Sequence, residues 1–121
     1  MNSLGEIAGV LGQAQSFLIC GHEMPDGDAL GSVLALGFIL EKLGKKVVMA
    51  GPDPVPQMYR FLPGVERFQA GEPPRGEFDY LVALDCSVPE RLGNGYRELL
   101  AGGLPVINID HHVGSVSFGT Y

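Results

Sequence analysis

Short runs of apolar residues alternate along this chain with stretches in which apolar side chains recur every three or four positions. Continuous apolar runs of this length are typical of strands that are buried on both faces of a sheet. The runs predict strands at residues 16–20, 45–50, 78–84 and 104–109, and a shorter strand at residues 65–69.

Stretches between these runs predict helices. Residues 3–14 place Ile7 and Leu11 at helical spacing, which predicts a first helix. Residues 28–43 are apolar on almost every face and end at Gly44, so they predict a second helix that is mostly buried. The small residues of this helix would let a neighbouring backbone approach closely, and they are Gly31, Ser32, Ala35 and Gly37.

A third helix is predicted after the strand at residues 78–84. Ser87 and Glu90 have the spacing of a capping box, and Pro89 lies near the first helical position. The helix is expected to run to about Leu100 despite two glycines.

Strands and helices that alternate in this way predict an α/β fold, with a mostly parallel sheet covered by helices on both faces. In such sheets, binding sites form beyond the carboxyl ends of the strands, near the point where the strand order reverses. Candidate chemistry is therefore sought at the ends of the predicted strands.

The composition fits one globular domain. The chain has 121 residues, of which 45% are hydrophobic and 18% charged, a balance that favours a folded core over disorder. The longest apolar stretch, residues 29–40, is interrupted by small residues, whereas a membrane span needs about 20 apolar residues. We therefore expect a cytoplasmic protein without a membrane partner.

The formal net charge of −6 argues against binding to duplex DNA, because proteins that bind duplexes usually present a basic face to the phosphates. A phosphate substrate remains compatible with this charge, since divalent cations would neutralise clustered acids and attract phosphate.

The two cysteines do not suggest a disulfide or a zinc site. Cys20 and Cys86 are 66 positions apart and lack a CxxC spacing. Both are interpreted as buried thiols, although their nearness to candidate metal ligands leaves a reactive role open.

Acidic and histidine-bearing segments follow three of the predicted strands. They are residues 22–28, Asp85 and residues 110–112. If these strands are parallel neighbours, the three segments meet at one edge of the sheet. Carboxylates with one or two imidazoles suit manganese, magnesium or iron.

We therefore predict two ions, manganese first among the candidates, that share a bridging hydroxide in a phosphoryl displacement. Asp85 is the natural bridging ligand because it stands alone on its strand.

Each acidic residue also has a purely structural interpretation. Asp28 could be the N-cap of the second helix, Asp26 a turn former, and Asp85 an acid that begins a loop. A calcium loop is excluded, because Leu30 and Gly37 occupy positions that require oxygen ligands.

Other candidates are equally open to two interpretations. Gly31 and Ser32 could offer backbone N–H groups to a phosphate or could simply permit close packing. Arg91 could reach a substrate phosphate or lie on a solvated helix face. His111 and His112 could be a pair at a strand end, one hydrogen-bonded and the other exposed.

The combined pattern resembles the DHH phosphoesterase superfamily, which is named for a triplet like the one at residues 110–112. Within it, the chain is most similar to the RecJ-like branch of oligoribonucleases that also dephosphorylate 3′-phosphoadenosine 5′-phosphate. The resemblance covers nearly the whole chain and rests on His22-x-x-x-Asp26-x-Asp28-x-x-Gly31-Ser32, Asp85, Pro89-Glu90-Arg91-Leu92-Gly93 and Asn108-Ile109-Asp110-His111-His112.

The resemblance implies a role for each motif residue. His22 and Asp26 would bind the first ion and Asp28 and His111 the second, with Asp85 bridging the pair; His112 would contact the scissile phosphate, and Asp110 would orient an imidazole. The substrates implied are short RNA or a phosphorylated nucleotide, and the cofactor is two Mn²⁺ ions, with Mg²⁺ or another divalent ion as the alternative.

The chain departs from the family pattern in one respect. The family's second ion takes a further aspartate from a fourth motif, and a separate C-terminal domain grips the substrate, whereas this sequence ends at Tyr121. Residues 1–121 are thus expected to be the N-terminal part of a DHH domain, to bind the second ion weakly and to turn over slowly.

Several alternatives stay open. The chain could instead be a non-catalytic binder of metal or phosphate. The same motifs would also serve a pyrophosphatase, a polyphosphatase, a single-strand exonuclease or a cyclic dinucleotide phosphodiesterase. The oligomeric state is not predicted.

Overall fold

Five strands form one parallel sheet in the part of the chain that the computed structural model describes, which is residues 3–86, 89–110 and 119–120. The strand order is β3-β2-β1-β4-β5, and every neighbouring pair is parallel. The predicted α/β class is confirmed. The strands are β1 Ser16–Cys20, β2 Lys46–Gly51, β3 Gln69–Ala70, β4 Tyr80–Leu84 and β5 Val106–Ile109.

The strand order reverses between β1 and β4. From β1, the chain adds β2 and β3 on one side of the sheet and then crosses over to add β4 and β5 on the other side. Cys20 at the end of β1 pairs with Ala83 of β4, so the two strands finish nearly level. The segments that leave β1 and β4 therefore start side by side at a topological switch point.

Helices cover both faces of the sheet, as predicted. They are α1 Leu4–Gln13, α2 Gly27–Lys42 and α3 Asn94–Ala101. Side chains of α1 and α2 pack with Phe17 and Ile19, whereas Tyr96 of α3 packs with Leu18 and Cys20 on the opposite face. This alternation along β1 is the reason that its whole sequence is apolar.

Helix α2 begins one residue earlier than predicted, and its N-cap is Asp26 rather than Asp28. The Asp26 Oδ1 atom accepts a hydrogen bond from the backbone N–H of Ala29 at 2.9 Å. A carboxylate at this position satisfies one of the N–H groups that the first helical turn leaves without a partner. Asp28 lies in the first turn and is exposed.

One small residue of α2 packs tightly against the sheet, but its neighbour is a side chain. A Cβ atom added at Gly37 would lie 2.6 Å from Sδ of Met49 in β2. Gly31 has open space at the same position, with nothing within 4 Å. The predicted close approach to α2 is thus found at Gly37, where the neighbouring group is a side chain and not a backbone.

The predicted strand at residues 65–69 is wrong over most of its length. Val65–Arg67 forms a 3₁₀ turn, and only Gln69–Ala70 pairs with β2. A second 3₁₀ turn is Gln57–Tyr59. The N–H groups of Arg67 and Phe68 donate to the carbonyl oxygens of Gly64 and Val65, each at 3.0 Å, and these i to i+3 bonds close a turn that an extended strand cannot form.

The third predicted helix is divided in two. Pro89–Leu92 forms a 3₁₀ turn, and α3 follows after Gly93, whose φ of +88° interrupts the helical backbone. Ser87 lies outside the described residues, so the predicted capping box is not tested. The break separates the turn that carries Arg91 from the helix that packs on the sheet.

The amino ends of β1 and β4 are joined through Asp79. Its Oδ2 atom accepts hydrogen bonds from the backbone N–H groups of Gln15 at 2.8 Å and Ser16 at 3.1 Å. These bonds stabilise the carboxylate and lower the pKa of Asp79 below its ordinary value of 3.8. The stabilisation is present at pH values above 3.8 and is lost as the pH falls through the folded pKa.

We expect Asp79→Asn to lower the free energy of unfolding at neutral pH, because the amide accepts these bonds more weakly. The difference from the unchanged chain should be constant at pH values above 3.8 and should shrink as the pH falls below that value through the folded pKa, since the wild-type carboxylate then becomes protonated. Urea unfolding followed by circular dichroism measures this. Glu77→Gln removes an exposed acid two positions away and is the control; an equal effect of both variants would contradict the prediction.

Among the described residues, no helix combines the length and the apolar character that crossing a membrane requires.

Candidate metal centre

Two ionisable side chains are buried where β1 and β4 end. His22 lies two residues beyond β1 and Asp85 one residue beyond β4, and they are only 2% and 4% exposed. Nε2 of His22 lies 3.8 Å from Oδ2 of Asp85. Parallel pairing of β1 with β4 places these residues together although they are 63 positions apart in sequence.

Asp26 joins this pair from the start of α2. Ligand atoms of His22, Asp26 and Asp85 all lie within 4.8 Å of one another. Asp26 is exposed, whereas the other two are buried, so the group opens towards solvent on the Asp26 side. The carboxylate of Asp26 caps α2 through Oδ1, and each carboxylate oxygen can also accept further ligands.

The backbone of Asp85 has an unusual conformation. Its φ is +56°, in the left-handed region that aspartate tolerates better than most side chains. The Asp85 N–H donates to the carbonyl oxygen of Ile109 at 3.0 Å, which continues the pairing of β4 with β5 beyond the last strand residue. This backbone conformation sets the direction in which the Asp85 side chain leaves the main chain.

The loop that carries His22 is held from both sides. On the β2 side, the Gly21 N–H donates to Ala50 O at 3.2 Å, and the Met24 N–H donates to Oδ2 of Asp53 at 2.7 Å. Met24 has a φ of +47°, which is rare for a side chain of this kind. These bonds hold the loop in a conformation that it would not adopt alone.

The 3₁₀ turn Pro89–Leu92 holds the other side of the loop. The Glu23 N–H donates to Arg91 O at 2.5 Å, and Nη2 of Arg91 lies 3.5 Å from Glu23 O. The backbone of residue 23 is therefore bonded to residue 91 through both its N–H and its carbonyl group.

Nδ1 of His22 has two polar neighbours that place opposite demands on it. It lies 2.6 Å from the carbonyl oxygen of Glu23 and 3.1 Å from Nη2 of Arg91. A guanidinium only donates, so Nδ1 cannot donate to the carbonyl and accept from Arg91 together. The shorter contact favours Nδ1–H donating to Glu23 O, and this leaves a lone pair on Nε2, which faces Asp85.

This donor set fits a divalent cation. One imidazole with a free Nε2 lone pair and two carboxylates are ligands that manganese, magnesium or iron accept. The hydrogen bond from Nδ1 to a backbone carbonyl is also the support that metal-bound histidines usually have. His22, Asp26 and Asp85 could thus hold one ion between them.

The remaining predicted site residues lie in different places. Asp28 does not belong to the group of three. Asp110 follows β5 and lines, together with Asp85 and Ser32, a cavity of about 350 Å³ whose other walls are mostly apolar. Gly31 lies on the second turn of α2. His111 and His112 are outside the described residues, so the structure does not place them.

The cysteines lie just below this edge of the sheet. Cys20 and Cys86 are both fully buried, as predicted, and neither forms a disulfide. Burial raises the pKa of the Cys20 thiol well above its ordinary value, and the nearby Cys86 raises it further. A neutral thiol is a poor metal ligand, which favours a packing role for Cys20.

A larger cavity lies at the opposite edge of the sheet. Its volume is about 850 Å³, and its walls include Ser16, Lys46 and Pro105 at the amino ends of the strands. The group of three ligands is at the carboxyl ends, so this cavity takes no part in the candidate site.

The sequence patterns did not indicate which residues hold His22 and its loop in position. Asp53 supports Met24 from the loop after β2, and the carbonyl of Glu23 supports His22. Backbone carbonyls leave no trace in a sequence, and Asp53 lies between two prolines in a segment that reads as an ordinary turn. Only the Arg91 side chain was singled out, as a candidate phosphate contact.

Comparisons with known proteins agree with this architecture. Residues 16–120 match the family model described as DHH family, N-terminal domain. The bifunctional oligoribonuclease and PAP phosphatase NrnA of Thermus thermophilus is 39% identical over 105 residues, which are 84% of this chain and 29% of that protein.

A solved structure gives the same result for the fold. An exopolyphosphatase-related protein from Bacteroides fragilis aligns with a TM-score of 0.79 and 25% identity, over 90% of this chain and 34% of its own. The chain thus spans about a third of the length of these two relatives.

Proposed function

This chain belongs to the DHH family, and we propose that it is the metal-binding part of a phosphoesterase. Its reaction is the hydrolysis of phosphoester bonds in short oligoribonucleotides or in adenosine 3′,5′-bisphosphate, carried out in the cytoplasm. The observation that carries the proposal is the convergence of His22, Asp26 and Asp85 at the switch point between β1 and β4.

The three side chains have separate tasks in this proposal. His22 and Asp26 would hold the first divalent ion, and Asp85 would serve both ions as a shared ligand. Asp28 and His111 complete the second site, and Asp110 orients an imidazole. When bound, two such metal ions supply an activated water and neutralise the charge that develops on the phosphoryl oxygens. Manganese is the preferred ion, and magnesium is the alternative.

The protein groups around this centre act on the phosphate group. His112 donates to a phosphoryl oxygen and stabilises its charge in the transition state. Ser32, on the second turn of α2, offers its hydroxyl to the same phosphate, whereas Gly31 lies past the first turn, whose N–H groups are the ones left without a partner in the helix. Burial of His22 and Asp85 excludes water from one side of the centre, which strengthens each electrostatic contact there.

The substrates are proposed from the two relatives. The Thermus thermophilus relative is named for oligoribonuclease and PAP phosphatase activity, and this favours short RNA and the bisphosphate as substrates. Polyphosphate is the second candidate, because the Bacteroides fragilis relative is described as exopolyphosphatase-related. We propose that a longer polypeptide supplies the fourth motif and a substrate-binding domain.

Calorimetric titration with Mn²⁺ tests the proposal on this chain and on a longer polypeptide that continues past Tyr121. We expect one tight site in the first and two in the second. Phosphate release by the longer polypeptide is then measured with a trinucleotide, adenosine 3′,5′-bisphosphate, pyrophosphate, polyphosphate, a longer single strand and a cyclic dinucleotide. A chain that binds no divalent ion would contradict the proposal, and release from polyphosphate alone would favour the second candidate.

A further inference from the structure

Arg91 lies beside Nδ1 of the His22 imidazole, on the side of the ring away from Asp85. Its Nη2 atom is 3.1 Å from Nδ1, whereas Asp85 faces Nε2 across the ring. Arg91 is only partly exposed. A guanidinium in this position supports the histidine from the rear and does not point into the space between the ligands.

The Glu23 carbonyl connects the two residues. It lies 2.6 Å from Nδ1 of His22 and 3.5 Å from Nη2 of Arg91. A carbonyl oxygen has two lone pairs, so it can accept from both groups at once. The main-chain bond from Glu23 N to Arg91 O keeps this carbonyl within reach of the guanidinium.

The tautomer of His22 depends on this arrangement. If Nδ1–H donates to Glu23 O, Nε2 has the lone pair that a metal needs. If Arg91 donated to Nδ1 instead, the proton would sit on Nε2 and the ring could not bind a cation. Nδ1 lies closer to Glu23 O (2.6 Å) than to Nη2 of Arg91 (3.1 Å), which favours the first arrangement, although Nη2 itself lies closer to Nδ1 than to Glu23 O (3.5 Å).

We propose that Arg91 is a positioning residue which, by fixing the Glu23 carbonyl, holds His22 in the Nδ1–H tautomer with Nε2 directed at the metal centre. This inference rests on the proposed function, because it assigns Arg91 to the same centre. It replaces contact with a substrate phosphate as the role of this side chain.

The first test uses the full chain without metal. Nitrogen-15 NMR of the imidazole is expected to show mainly the Nδ1–H tautomer of His22 in the unchanged chain and a mixture of tautomers in Arg91→Met. The Met side chain keeps the apolar stem and removes the donors. Mainly Nε2–H in the unchanged chain, or the same tautomer in both chains, would overturn the proposal.

The second test measures Mn²⁺ affinity by calorimetry. Arg91→Met should weaken it by about 10-fold to 100-fold, the range found when outer support of a metal ligand is removed. Arg91→Lys should recover most of the affinity, because an ammonium group can still donate to Glu23 O. Arg97→Met, on an exposed side chain of α3, should change nothing.

The outcomes separate this inference from the proposed function. An unchanged metal affinity in Arg91→Met, with a raised KM for adenosine 3′,5′-bisphosphate in the longer polypeptide, would make Arg91 a substrate contact and overturn the positioning role. If the chain without any substitution binds no Mn²⁺, the proposed function is wrong. The NMR comparison would still decide whether Arg91 sets the tautomer.

Discussion

Asp85→Asn is expected to abolish tight metal binding while leaving the metal-free fold as stable as before. Asparagine keeps the size of the side chain and tolerates the left-handed backbone of residue 85, whose φ is +56°. The change removes a buried carboxylate, 4% exposed, that is the proposed bridging ligand. We expect the Mn²⁺ affinity to fall by at least about 100-fold, the upper end of what loss of an outer-shell contact costs.

Asp85→Ala is the matched variant that separates the two roles of this position. Alanine also lacks the carboxylate, but its Cβ pays the full steric cost of the left-handed region, about 1–2 kcal/mol. Urea unfolding without metal should therefore show a lower free energy of unfolding for Asp85→Ala and a value within about 1 kcal/mol of the unchanged chain for Asp85→Asn.

The two measurements together decide the interpretation of Asp85. Equal loss of stability in both variants would show that the carboxylate itself holds the turn. Retained Mn²⁺ affinity in Asp85→Asn would remove this residue from the metal centre, and phosphate release by the longer polypeptide carrying the same change should then also persist.

The parts of the fold that were predicted correctly are those that local patterns determine. Strand β1 was predicted with its observed bounds, because an unbroken apolar run must be covered on both faces. The meeting of His22 and Asp85 followed from one further rule, that parallel neighbouring strands end at the same edge. That rule needs no information about side-chain contacts.

The errors arose where a single backbone angle decides the structure. Gly93 has a φ of +88° and breaks a helix that the side-chain pattern would continue, and Gly64, with a φ of +80°, precedes the 3₁₀ turn that replaces most of a predicted strand. A glycine permits such an angle without requiring it, so the sequence does not show which glycines adopt it.

The candidate metal ligands could be predicted from the sequence, whereas the residues that hold them in position could not. His22, Asp26 and Asp85 could be named as candidate ligands because they follow predicted strands that are expected to end at one edge, although each acid taken alone also has a structural interpretation. The position of Arg91 behind His22 depends on the path of the 3₁₀ turn that carries it. That path is set by tertiary contacts, which a single sequence does not display.

Asp26 is expected to show two separable effects, since its carboxylate both caps α2 and belongs to the proposed metal centre. Asp26→Asn keeps the cap, because asparagine and aspartate are nearly equal at this position. Its metal-free stability should match that of the unchanged chain. Asp26→Ala removes the cap and should lower the free energy of unfolding by about 1 kcal/mol.

Added Mn²⁺ should stabilise the unchanged chain but neither Asp26 variant. At about 100 times its dissociation constant, an ion that binds only the folded state stabilises it by about 2.7 kcal/mol. The unchanged chain should show this gain and lose it on chelation, whereas both Asp26 variants should show little of it at the same Mn²⁺ concentration.

Thermal unfolding with Mn²⁺ and with a chelator measures the difference, and Ser3→Ala, which removes the cap of α1, is the control for capping alone. A full Mn²⁺ response in Asp26→Asn would show that capping is the whole task of Asp26, and the centre would then consist of His22 and Asp85 without it.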